Sequence, residues 1–61
     1  MKATYIKTMD FTFEDVEILN VLDSGQLMEK IKENEVIKIK NGNQIEYINS
    51  SYIMFYGLEG K

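Results

Sequence analysis

The sequence predicts a small α+β domain of element order β-β-α-β-β-β, and three observations carry that prediction. Residues 2 to 13 alternate between apolar and polar side chains, the period-two signature of a half-buried strand. Residues 23 to 34 carry helix signals at both ends. Val36 to Ile48 reads as a hairpin closed near Asn41-Gly42, because Asn and Gly tolerate the positive φ that tight hairpin turns require. Sixty-one residues make one domain, spanning 1–61, and a chain this short buries only about 60% of its unfolded surface, so its core is small.

In the first segment Ala3, Tyr5, Met9, Phe11 and Phe13 fall on odd positions, while Lys2, Thr4, Thr8, Asp10 and Thr12 fall on even ones. Ile6 and Lys7 break the alternation, and the length of the run predicts a bend near Thr8–Asp10. Val16 to Leu22 spreads its apolar residues around a helical wheel and is rich in β-branched types, which favours a short strand over a helix.

The helix is expected over about residues 24–33. Asp23 is placed to accept backbone N–H bonds as N-cap, and Gln26 to reach back to the Asp23 amide. Leu22 and Leu27 occupy the positions of a hydrophobic staple, and Asn34 those of a left-handed C-cap. Leu27, Met28 and Ile31 form one apolar stripe, which so short a helix must bury against a sheet to persist.

For the hairpin, a two-residue Asn41-Gly42 loop would set Lys38 opposite Ile45 and Ile37 opposite Glu46, leaving one face mixed. A three-residue loop Lys40-Asn41-Gly42 instead pairs Ile37 with Ile45 and groups Ile37, Ile39, Ile45 and Tyr47, and segregated faces favour this register. A second turn at Asn49-Ser50-Ser51 leads to Tyr52–Tyr56, a strand apolar on both faces that Gly57 and Gly60 end. The last three strands, about residues 35–57, are then expected as an antiparallel meander with the helix on one face. Closure into an SH3-like or Sm-like small barrel is the alternative architecture.

Composition narrows the function. With no Cys and no His, the chain lacks disulfides, thiolate metal sites and the commonest general base and metal ligand, so no cofactor is expected. Ser50-Ser51 has no His to activate it, and an enzyme is not expected. Asp10, Glu14, Asp15 and Glu17 match no calcium loop and read as a solvated turn. There is no apolar run of membrane-spanning length and no signal-peptide core at the N-terminus, which predicts a cytoplasmic protein without membrane contact. The bias toward Asn, Ile, Lys, Glu and Tyr is that of AT-rich coding DNA, and points to a phage or mobile element of an AT-rich bacterium.

Two surfaces are candidates for function. The strand reading leaves Val36, Ile48, Ile53 and Phe55 on a second sheet face, with Tyr52 beside them. Either the N-terminal strands cover that face or it is an interaction surface, since a contiguous apolar patch of several hundred Å² is unusual on a monomer. Lys30, Lys32, Lys38 and Lys40 could contact phosphates with tyrosines as stacking partners, but acidic residues interleave with them and the net charge is −3, so nucleic acid is not the expected ligand. The sequence therefore favours a small protein-interaction or regulatory module that forms a homo-oligomer, a dimer first, and binds and modulates another protein. A nucleic-acid-binding mini-barrel is the second reading.

Overall fold

A computed structural model describes residues 1–59, and Gly60, expected to help end the last strand, lies outside the described residues. The elements are β1 (Lys2–Thr8), β2 (Thr12–Ile18), α1 (Ser24–Lys32), β3 (Val36–Asn41), β4 (Gln44–Asn49), a 3₁₀ turn η1 (Ser50–Tyr52) and β5 (Ile53–Leu58), the expected β-β-α-β-β-β order. The strands form one open antiparallel sheet of spatial order β4-β3-β2-β1-β5.

The alternating run over 2–13 is a hairpin rather than one bent strand. Thr8 makes the turn: its hydroxyl accepts from the amides of Asp10 and Phe11 and donates to the Phe11 carbonyl. β2 consequently begins at Thr12 and ends at Ile18, four residues before the end expected for that strand. β1 and β2 share one irregularity. Ala3 pairs with Val16 and Tyr5 with Glu14, but the Thr4–Asp15 position between them is unpaired, and Asp15 has φ 53°. This break shifts the parity of both strands, so that Ala3 and Ile6, and likewise Phe13 and Val16, all face the core. Here lies the cause of the break in alternation at Ile6-Lys7.

The helix caps form largely as the sequence implies. Asp23 Oδ1 accepts from the Gln26 amide at 2.9 Å. Gln26 Oε1 accepts from the Leu22 amide rather than that of Asp23, one residue off the expected box. Asn34 adopts φ 58°, and the bonds Glu35 N–H to Lys30 O and Asn34 N–H to Ile31 O complete a Schellman motif. No staple forms, because Leu22 is 81% exposed while Val21 takes the buried place beside Leu27. Of the expected stripe only Leu27 is fully buried; Ile31 is partly so and Met28 faces solvent.

Two expectations for the last three strands are corrected. In the β3–β4 hairpin Asn41 pairs with Gln44, Ile39 with Glu46 and Ile37 with Ile48. The loop is the two-residue Gly42-Asn43, with positive φ at Gly42 alone, which suits a type II′ turn matched to the strand twist. This register buries Ile48 with Ile37 and Ile39, and turns Ile45 and Tyr47 outward beside Lys38 and Lys40. Turn geometry thus outweighs the segregation of faces. The meander also ends early, since β5 pairs with β1 and not with β4. The cause is Ser50, fully buried, whose amide donates to Glu35 O and whose hydroxyl donates to Lys30 O at 2.9 Å. Tied to the helix end, the chain leaves β4 through a 3₁₀ turn and crosses to the far edge, where Ile53, Tyr56 and Leu58 pack against the core.

Tyr5 lies opposite Gly57 in the β1–β5 ladder. A Cβ on Gly57 would stand 2.5 Å from a Tyr5 ring carbon and 2.7 Å from Thr4 Oγ1, so the ring and the Thr4 hydroxyl occupy the space the glycine leaves. Gly57 is therefore a packing position inside β5 and not a strand terminator.

At the other end of β1 the Met1 ammonium donates to Glu17 Oε2 and to the Ile18 carbonyl, each at 2.9 Å. The ammonium's hydrogen bond, and then its charge, hold the Glu17 carboxyl below its ordinary 4.5. A lowered folded-state value means the interaction is complete above 4.5 and is lost as pH falls through the folded value. NMR titration should find Glu17 titrating below 4.5, and acetylating the amine should return it toward that value. An unshifted Glu17 would show the ion pair to be absent in solution.

Candidate functional site: the β4 edge and its aromatic cleft

The site begins with hydrogen-bond parity. Asn41 and Gln44 flank a two-residue loop and form a hydrogen-bonded pair, so Ile39–Glu46 and Ile37–Ile48 do as well. The residues between them point their backbone groups the other way. On β3 those groups meet β2, as the bond from Leu19 N–H to Lys38 O at 2.7 Å confirms. On β4, an edge strand, the N–H and C=O of Ile45 and Tyr47 and the N–H of Asn49 point outward without a strand partner among the described residues, while the Asn49 carbonyl, as N-cap, accepts the first bond of η1. Their side chains share the outer face, where Ile45 is half exposed and Tyr47 is 67% exposed.

Beside this edge lies an open cleft of about 200 Å³. The sheet coils enough to bring the β1–β2 hairpin, through Thr8, Asp10, Phe11 and Phe13, to the same cleft as Glu46–Asn49 and Tyr52. The Phe11 and Phe13 rings sit 5.4 Å apart at 45°, a favourable tilted contact. Phe13 is buried and anchors the pair, while Phe11 is 62% exposed at the cleft mouth. The hydroxyl bonds of Thr8 hold the turn that presents Phe11.

The residues expected as one apolar face are dispersed. Ile48 is in the core and Ile53 packs against it, so both lie on the core side. Val36 on β3 and Phe55 on β5 are exposed but separated by β2 and β1. Tyr52 alone of that set reaches the cleft with Ile48. Their grouping depended on the β4–β5 pairing that does not form. Likewise the four lysines make no single patch. Lys30 and Lys32 belong to the helix, where Lys30 pairs with Glu35 at 3.2 Å. Lys38 and Lys40 lie on the outer face of β3, with Lys40 opposite Glu17. The residues missed at the sequence level were Ile45 and Tyr47, assigned to the core, and Phe11, read simply as part of a strand. The Gly42-Asn43 turn was the signal that could have placed the first two.

Comparison of the chain with protein-family models, curated proteins and solved structures finds no match.

Proposed function

We propose that this chain is a small protein-interaction module that captures an extended segment of another polypeptide by strand addition to β4. The observation that carries the reading is the row of outward groups formed by the N–H and C=O of Ile45 and Tyr47 and the N–H of Asn49. An added strand would satisfy these main-chain groups, and specificity would come from pockets for its alternate side chains. The cleft rimmed by Phe11 and Tyr52 is such a pocket, and Tyr47 supplies an exposed aromatic anchor next to it. Capture of this kind would modulate the bound protein by sequestering or ordering the segment.

Peptides selected from a random displayed library should slow hydrogen exchange at the Ile45, Tyr47 and Asn49 amides. Tyr47→Pro should abolish their binding with the fold retained, because an edge strand tolerates proline where the N–H faces solvent. Phe55→Asp, on the opposite edge, should leave binding unchanged. Recovered peptides that protect the helix or β5 instead, or that bind Tyr47→Pro equally well, would overturn the reading.

A further inference from the structure

Resting on that reading, we infer that in the isolated protein the occupant of the β4 edge is a second copy of the chain, paired antiparallel about a two-fold axis at Tyr47. The edge is self-complementary in this register alone. A two-fold ladder must set outward-pointing residues opposite outward-pointing residues, and side chains of one face opposite the same face. Centred on Tyr47, the pairs are Tyr47 with Tyr47, Ile45 with Asn49 and Asn49 with Ile45, so both Tyr47 groups, the Asn49 N–H and the Ile45 C=O gain partners, and only the Ile45 N–H meets a carbonyl already used, that of Asn49 in η1. Centred on Glu46 or on Ile48, only two of these pairs form. A Glu46 centre also sets the two Glu46 carboxylates directly opposite each other, which is destabilising. A centre at Ile45 carries Tyr47 onto Asn43 in the turn.

Charge and side-chain chemistry favour the same choice. In the Tyr47 register Glu46 faces Ile48 of the other copy, and no two like charges are opposed. The two exposed Tyr47 rings form a cross-strand aromatic pair, a favourable combination. On the outer face each Tyr47 lies beside its own Lys38, so the row across the axis reads Lys38, Tyr47, Tyr47, Lys38. The strand has six residues, short beside the roughly 800 Å² per partner of a lasting interface, so the dimer dissociates on dilution. Pairing with a copy and capture of another polypeptide use the same groups and exclude one another. Dimerisation therefore sets the concentration of free edge.

The chain has no cysteine, so introduced thiols report the register without background. Opposed Cα atoms in a hydrogen-bonded pair stand about 5.5 Å apart, within disulfide range. Under mild oxidation Tyr47→Cys should form a covalent dimer. A mixture of Ile45→Cys and Asn49→Cys, which keeps the Tyr47 rings, should form the mixed dimer. Ile45→Cys with Tyr47→Cys should give no mixed dimer. Sedimentation equilibrium of the unaltered chain should show a monomer–dimer transition that Tyr47→Pro removes while circular dichroism stays unchanged. Preferential linking of Ile45→Cys to Tyr47→Cys would overturn the register but leave strand pairing intact, and equal linking of all combinations would mark random collision. A unaltered chain that stays monomeric at millimolar concentration would overturn self-pairing, while peptide capture at β4 would still be decided by the library experiment.

Discussion

Leu27→Ala is expected to unfold a large share of the molecules at room temperature. Leu27 is the one fully buried residue of a nine-residue helix, and a helix of that length does not persist on its own in water. Truncating a buried leucine costs about 2–5 kcal/mol. At about 0.05–0.15 kcal/mol per residue, a chain of this size holds only about 3–9 kcal/mol in all. The substitution thus removes a share of the stability comparable with the whole. It also loosens the helix end that holds Ser50 and, through it, the path of β5. Urea denaturation followed by circular dichroism measures the effect, and Met28→Ala, on the exposed side of the same helix, should stay within about 0.5 kcal/mol of the parent. A Leu27→Ala midpoint equal to that of the parent chain would show that the helix is not anchored through this side chain.

Gly57→Val should destabilise the fold by about 1–3 kcal/mol, the usual cost of overpacking. At an ordinary strand position the same change stabilises, since valine fits a pleated surface and glycine in a strand interior weakens it. The sign is reversed here because the Tyr5 ring and Thr4 hydroxyl fill the place of the missing side chain. A double-mutant cycle with Tyr5→Ala separates the two contributions. If the clash with the ring is the cause, Gly57→Val should cost much less once the ring is gone. An undiminished penalty in the Tyr5→Ala background would assign the cost to the backbone or to Thr4 instead.

What the sequence revealed and what it concealed divide along the distance between interacting residues. The caps at Asp23 and Asn34 were legible because their partners lie within a few positions. Strand identity was legible from periodicity, with one defect at Ile6 that turned out to mark the Thr4–Asp15 break. The choice between a two- and a three-residue loop moved Ile45 and Tyr47 from the core to the surface, and with them the candidate site. Local patterning could not decide it, because either Ile45 or Ile48 can fill the core position. The crossing of β5 was concealed more deeply. It depends on Ser50, a residue that reads as turn chemistry, being drawn into hydrogen bonds with a helix end twenty positions earlier.

The position of β5 has a consequence for how the molecule comes into being. Ala3 pairs with Leu58, so β1 must wait for β5, far along the chain, before its second edge is covered. The two hairpins can zip early from local contacts, whereas closing β5 onto β1 carries the full loop-closure cost of a sequence-distant pairing and is expected to come last. Until then β1 presents a bare strand edge carrying Ala3, Tyr5 and Ile6, the kind of surface that invites intermolecular pairing. A chain cut before Ile53 would keep that edge permanently and should precipitate at concentrations where the full chain stays clear.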